Sequence, residues 1–518
     1  MGGDQTKLTG PDLSSGIAEN ELGAGASLLG HANGEAVLLV RDGQDVLAVG
    51  ATCSHYGGPL AEGVIEGGAV RCPWHHACFD LRTGAVQRAP ALNPIACFDV
   101  QRAGGRIRVG AKKPEVAPAM PHAAPRTIAI VGAGAAGEAA ATALRREGYA
   151  GDIKLFGADE APPVDRPNLS KDYLAGTAPE EWLPLRPDGF FEEQRIELAL
   201  GAAARVTSLS LHDRQLTLAG GGAVGWDALL LATGAEPIRL SVPGADLPHV
   251  HTLRTLADSR AIIARVAGAR RAVVVGASFI GMEAAASLRA RNVEVHVVAP
   301  DATPFAKVLG PEAGAFLRSV HQENGVVFHL GQTVAAVEAR HVTLSGGEAI
   351  EADLVVVGIG VRPSLQLAEA AGLTIDRGVI VDARLETSVK GVYAAGDIAR
   401  YPYAPTGERV RIEHWAVAQR MGRVAALNML GRKVAFTSAP FFWTAQFGVQ
   451  LSYVGHAESW DRADLHGSLA ARDATIAYRR DGKTLAVATV GRDAVCLAAE
   501  LALERGDEAA LEAFGKTR

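Results

Sequence analysis

Cysteine is scarce in this chain: there are 5 in 518 residues, and none between Cys97 and Cys496. Residues 126 to 495 therefore offer no cysteine pair, which excludes a thiol–disulfide redox centre along that stretch. Aromatic residues are also few, at 5%. The formal net charge is -6 and no basic run stands out, so nucleic acid is not an expected partner. No apolar run is long enough to span a bilayer. The opening Met1-Gly-Gly-Asp-Gln-Thr6 lacks the cationic start and apolar middle of a signal peptide. Free thiols in a reducing, cytoplasmic setting are the expectation that follows.

What is present reads as an ordinary globular composition, 48% hydrophobic and 21% charged. A chain of 518 residues is too long for one core and should divide into about three or four domains of roughly 100–200 residues. The first segment is rich in short apolar runs such as Ala36–Val40 and Val46–Val49, which read as strands. Residues 111–125 are rich in Ala and Pro and read as a semi-extended linker. A strand, glycine turn and helix then occur twice, at Thr127–Val131 into Gly132 and at Arg271–Val275 into Gly276. Two nucleotide sites are implied. Leu229–Gly234, Leu354–Gly360 and Val392–Asp397 are apolar runs ending in small residues, as expected of buried parallel strands whose carboxyl ends face ligands. After residue 436 the pattern becomes that of a smaller α+β domain.

The most specific chemistry lies in Cys53-Ser-His55 and Cys72-Pro-Trp-His75. Two cysteines and two histidines in this order can hold a [2Fe–2S] cluster, with thiolates on one iron and imidazoles on the other. Zinc is the competing reading, but it more often uses C-x₂₋₄-C and H-x₃₋₅-H spacing. Gly57-Gly58-Pro59 supplies the bend after the first pair, and Pro73 punctuates the second. The segments CSHYGGPLAEG and CPWHHACFDLRTG resemble the Rieske ferredoxin family over the first hundred or so residues. In high-potential respiratory members each loop carries a further cysteine, and those positions correspond here to Gly58 and Trp74. The hydroxyls that hydrogen-bond sulfur in those members are replaced by Ala77 and Phe79. Fewer hydrogen bonds to sulfur stabilise the reduced cluster less, which places the expected potential near the low end of the range, about −150 mV. His76 stands where the family usually has glycine and is expected to be an exposed loop residue. Cys78, Cys97 and Cys496 read as small buried core residues.

Gly132-Ala-Gly134-Ala-Ala136-Gly137 follows a strand and opens an Ala-rich helix, the context for a pyrophosphate at a helix N-terminus. Together with Val164-Asp-Arg-Pro-Asn-Leu-Ser-Lys171, Ala232-Thr233-Gly234 and Gly396-Asp397, it resembles the two-dinucleotide flavoprotein family of ferredoxin reductases and apoptosis-inducing factors, from about residue 126 to 518. That resemblance implies that Ala136 and the glycines line the FAD pyrophosphate. It implies that Arg166 and Lys171 flank the flavin, that Val206 and Arg254 touch FAD, that Asp397 binds the ribityl chain and that Trp415 lies beside the ring. The family's ribose-binding acid falls at Ala158, leaving Asp159 as the neighbouring acid. The second turn, Gly276-Ala-Ser278-Phe-Ile-Gly281-Met-Glu283, resembles the nicotinamide site of the same family, with Gly360 approaching the cofactor. A strand-end acid would favour NAD and a nearby arginine NADP. Val295–Ala299 is followed by no arginine, which favours NADH and leaves NADPH open. Glu283 is expected at the nicotinamide amide, paired with Lys171 near the flavin, either as catalytic groups or as a structural ion pair. Trp443 is expected to shield the flavin face or to pack in a core.

These readings give a multidomain chain: an all-β Rieske domain at 1–110, a linker at 111–125, an α/β Rossmann-like FAD domain in two parts at 126–245 and 364–435, an NAD(P) domain at 246–363, and a C-terminal reductase or dimerisation-like domain at 436–518. A hydride delivers two electrons, a [2Fe–2S] cluster accepts one, and flavin can split the pair. The expected function is an NAD(P)H-dependent reductase passing electrons through FAD to its own cluster and on to an external oxygenase or ferredoxin, with a homodimer allowed. The alternative is an NADH-sensing interaction protein resembling apoptosis-inducing factor, or a slow NADH oxidase. A complete Rieske oxygenase is not expected, because no helical Asp/His/His constellation for mononuclear iron is present.

Overall fold

Val37, Leu38, Leu39 and Val40 are all buried, an unbroken run where a half-exposed strand would alternate. The reason is that both faces of strand Glu35–Asp42 are covered. Leu38 and Val40 join a core with Val49, Leu60, Val70 and Phe79, whereas Val37 and Leu39 join another with Leu13, Ala48, Phe98 and Ile107. This strand belongs to an antiparallel six-stranded sheet in the order Ile17–Ala18, Arg106–Lys112, Cys97–Ala103, Asp45–Gly50, Glu35–Asp42 and Ser27–Ala32. A separate four-stranded antiparallel sheet, Val64–Glu66, Ala69–Arg71, Cys78–Asp80 and Val86–Arg88, carries the second Cys/His loop between its middle strands. The computed structural model describes residues 8–114 and 125–514. Met1–Thr6 and most of the expected linker lie outside the described residues. The linker's expected start is corrected: Ala111 and Lys112 complete strand Arg106–Lys112, with Lys112 opposite Phe98.

The chain forms two compact units. The first contains the residues just described together with 146–148 and 493–502; the second holds the remainder from 121 onward. Within the second, the apolar runs that end in small residues become the strands of two parallel sheets. One runs Ile196–Ala199, Asp152–Phe156, Thr127–Val131, Ala228–Leu231, Val392–Ala394; the other runs Val250–Thr252, Leu354–Val357, Arg271–Val275, Glu294–Ala299, Val326–Leu330. Helices Ala135–Arg146 and Phe279–Ala290 follow the first strand of each Gly-rich turn. A third, antiparallel sheet orders Phe441–Gln446, Val449–Gly455, Lys483–Val490, Asp473–Arg480 and Arg462–Ser468. Its Leu451, Tyr453, Ile476 and Tyr478 share one core with Met282, Leu309 and Leu317 of the second parallel layer, so that sheet is fixed against the nucleotide fold. No helix among the described residues is long and apolar enough to cross a membrane.

Candidate functional site

In the first unit, two backbone loops are closed in the same way. The Cys53 amide donates to the Gly58 carbonyl at 2.9 Å, and the Cys72 amide donates to the Ala77 carbonyl at 2.8 Å. Each closure turns one cysteine and one histidine inward. Cys53 and Cys72 are 3% and 2% exposed, and His75 is buried beside them. Nδ1 of His55 lies 3.2 Å from Nδ1 of His75, with the rings nearly perpendicular. Burial pushes the His55 imidazole down to about 3, which keeps it neutral, the form that ligates metal. The Cys72 thiol, against which it hydrogen-bonds, and then burial push the Cys53 thiol up.

Thiols therefore meet thiols and imidazoles meet imidazoles. The pairwise arrangement of two thiols and two imidazoles fits the donor set of a mixed-ligand [2Fe–2S] cluster. A Cβ at Gly58 would stand 2.6 Å from Cys72 Sγ and 3.2 Å from the Trp74 ring, so the space beside this glycine is taken by the sulfur and the indole.

One expectation is corrected. His76 is fully buried rather than exposed, at φ 60°. The left-handed conformation explains the usual glycine, and the side chain turns inward, where Nδ1 lies 3.2 Å from Glu500 within the same unit. Cys78, Cys97 and Cys496 are buried and form no disulfide.

In the second unit a cleft of about 1220 Å³ opens at the carboxyl ends of the parallel strands. Gly132, Gly134, Ala136, Asp159, Arg166, Lys171, Val206, Thr233, Gly234 and Arg254 line it, as do Ser278, Glu283, Gly360, Asp397, Trp415 and Trp443. Gly137, Gly276 and Gly281 do not. Their place is behind the wall: a Cβ on Gly137 would fall 1.8 Å from the Gly132 carbonyl oxygen, and one on Gly281 would fall 2.1 Å from that of Gly276. These glycines let each helix approach its strand closely enough for the helix N-terminus to face the cleft. Gly132 itself sits at φ 111° and has the Ala232 carbonyl 2.0 Å from any Cβ. Such cradles fit two dinucleotides, and the cleft volume suits ligands of that size.

Charged side chains divide the cleft. Arg166, pushed down by its enclosure and by Arg254, pairs with Asp159 at 3.0 Å. Arg254 pairs with Asp397 at 2.6 Å, and the Asp397 carbonyl accepts from Arg411 at 2.9 Å. The Thr233 hydroxyl donates to the Ser364 carbonyl at 2.7 Å. Lys171 lies 2.9 Å from Glu283, whose carboxylate also accepts from Ser170 at 2.6 Å and from Thr444 at 2.7 Å. Ser170 and Thr444 were not singled out by sequence reasoning; each sits inside a recognisable motif, but a hydroxyl there gives no sign of its partner.

Comparison with known proteins accounts for all three regions. Residues 126–422 match the model for pyridine nucleotide-disulphide oxidoreductases, residues 17–99 the Rieske [2Fe-2S] domain, and residues 441–517 the reductase C-terminal domain. Apoptosis-inducing factor 3 of Homo sapiens is 36% identical over 506 residues, covering 93% of this chain and 81% of that protein. Putidaredoxin reductase of Pseudomonas putida is 35% identical over 375 residues, covering 70% of this chain and 88% of that one. The crystal structure of the covalent putidaredoxin reductase–putidaredoxin complex superposes with a TM-score of 0.71 at 33% identity, covering 76% of this chain and 98% of that one.

Fold and site define an FAD-dependent NAD(P)H oxidoreductase that carries a Rieske [2Fe–2S] domain on the same polypeptide. The chain belongs to the pyridine nucleotide-disulphide oxidoreductase family.

Proposed function

We propose that this chain takes hydride from NAD(P)H and passes single electrons, by way of its flavin and Rieske sites, to an external acceptor such as an oxygenase or a ferredoxin. One observation carries the reading: no cysteine lines the flavin-type cleft, and the one-electron ligand set lies on the same chain. Bound flavin accepts electrons in pairs and releases them singly, which is the chemistry needed to join hydride to a [2Fe–2S] cluster.

The roles of individual residues belong to the same proposal. The glycine cradles at Gly132–Gly137 and Gly276–Gly281 hold the two pyrophosphates. Arg166, Arg254 and Asp397 orient the flavin, Trp415 presents a helix N-terminus to it, and Trp443 covers the ring. Lys171 and Glu283 meet where flavin and nicotinamide stack, and Glu283 accepts from the carboxamide. Cys53, His55, Cys72 and His75 ligate the cluster. NADH is the favoured donor because no arginine follows strand Glu294–Ala299 directly. The domain limits at 125, 245, 363 and 435 are retained on this reading, with the end of the first domain moved from 110 to 112, and so is a homodimer through the C-terminal domain. A cytoplasmic setting is supported by the cysteines outside the cluster loops, Cys78, Cys97 and Cys496, which are buried and in no disulfide among the described residues.

The relatives named reductases of ferredoxin-type systems support an electron-transfer partner. A second reading, an NADH-sensing interaction protein, is favoured by one fact: the match to apoptosis-inducing factor 3 spans the Rieske segment as well as the reductase. Turnover separates the two. Rapid NADH oxidation on adding a one-electron acceptor protein supports the reductase; slow oxidation with an NADH-dependent change in sedimentation supports the sensor.

A further inference from the structure

Glu283 stands at the start of a buried hydrogen-bond chain that runs away from the cleft and is used by none of the steps above. Its Oε1 accepts from Thr444 at 2.7 Å. Thr444 Oγ1 lies 2.9 Å from Gln446 Nε2, and Gln446 Oε1 lies 2.7 Å from His321 Nε2. All four side chains are buried. They come from three elements: helix Phe279–Ala290, edge strand Phe441–Gln446 and helix Ala306–Glu323. Thr444 and Gln446 are two apart on the strand and therefore share one face.

The direction of every bond in this chain is fixed by chemistry. Glu283, ion-paired with Lys171, accepts only. Thr444 must then spend its single proton on Glu283, so its oxygen accepts from an N–H of Gln446. That sets the orientation of the Gln446 amide and turns its oxygen toward His321, which must donate from Nε2. Burial pushes His321 down to about 4, so at neutral pH it carries one proton, and the chain places that proton on Nε2. Three donors in series thus point at one carboxylate oxygen, while Lys171 and Ser170 hold the other.

We propose that Thr444, Gln446 and His321 are positioning residues for the nicotinamide: they fix the Glu283 carboxylate in the one orientation in which it can accept from the carboxamide. This rests on the placement of the nicotinamide at Glu283. It makes the C-terminal sheet a part of the NAD(P)H site although it contributes no phosphate or ribose cradle. A carboxylate held by both oxygens keeps its rotamer when the cleft is empty, so binding does not have to order it. A carboxylate released at Oε1 can swing toward Lys171.

The test uses the full chain loaded with FAD and cluster. NAD⁺ binding is measured by calorimetry, and the long-wavelength charge-transfer absorbance is recorded after anaerobic reduction with NADH. Thr444→Val should weaken NAD⁺ binding about tenfold, the effect of one lost hydrogen bond to a charged group, and diminish the charge-transfer band. Thr444→Ser should restore both to within about twofold. Gln446→Met, one bond further away, should weaken binding about threefold, and it carries the test if the valine variant loses FAD. Wild-type binding in Thr444→Val or Gln446→Met, with Glu283→Gln weakened, overturns the chain while leaving the nicotinamide placement intact. Unaltered binding in Glu283→Gln overturns both.

Discussion

Cys53 and His55 are separated by one residue, Cys72 and His75 by two, and the two closed loops present thiol to thiol and imidazole to imidazole. On the proposed ligation, Cys53 would supply one of the two thiolates that hold the cluster. Cys53→Ala should abolish the Rieske electron paramagnetic resonance signal while NADH still bleaches the flavin; persistence of the signal would show that the thiol is not a ligand. His321 gives a prediction in pH. Its folded value, about 4, lies below the ordinary value of about 6.5, so the neutral side chain contributes stability above pH 6.5 that is lost as pH falls toward 4. The loss amounts to roughly 3 kcal/mol at the end of that window. Melting temperature should fall more steeply with acid in the wild type than in His321→Gln, and equal slopes would contradict the assignment. At this scale the sequence was legible for ligands and less so for neighbours. The four proposed cluster ligands follow from residue type and spacing. The burial of His76 does not, because φ 60° and an inward imidazole depend on packing that one sequence does not display. Nor does the Thr444–Glu283 bond, which joins residues 161 apart.

Among elements, the two strand–turn–helix units are built alike but should serve different ligands. Gly137 and Gly281 occupy equivalent positions, each with the carbonyl of the turn's first glycine within about 2 Å of any added Cβ. The obstacle is backbone, so alanine must push the helix off its strand. Gly137→Ala should lower FAD content of the purified chain, whereas Gly281→Ala should retain FAD and weaken NAD⁺ binding at least tenfold. Loss of FAD from the second variant alone would reverse the assignment of the two sites. These elements were readable because apolar runs that stop at glycine encode both the buried parallel strand and the turn that follows it. The start of the linker was not, since Ala111 and Lys112 have the composition of a spacer yet extend strand Arg106–Lys112, where Lys112 pairs with Phe98 beyond a shift in register. Strand pairing of that kind is decided by the partner strand, which local composition does not reveal.

For the whole molecule, the account depends on the coexistence of a two-electron site and a one-electron site in one chain. The parallel layers place the charged pairs Arg254–Asp397 and Lys171–Glu283 at strand ends, the antiparallel C-terminal sheet reaches Glu283 through Thr444, and the Rieske unit supplies the Cys/His donor set. Gly58, Trp74, Ala77 and Phe79 leave that cluster without the extra cysteines and hydroxyls of high-potential relatives, which is why a midpoint near −150 mV is expected. The most direct measurement is an anaerobic titration with NADH, and separately NADPH, following flavin absorbance and cluster paramagnetic resonance together in the iron-replete chain. The account predicts that the cluster signal grows as the yellow absorbance falls, at lower NADH than NADPH, with the cluster midpoint close to −150 mV. A cluster that stays oxidised after the flavin has bleached, or zinc in place of iron, would contradict it.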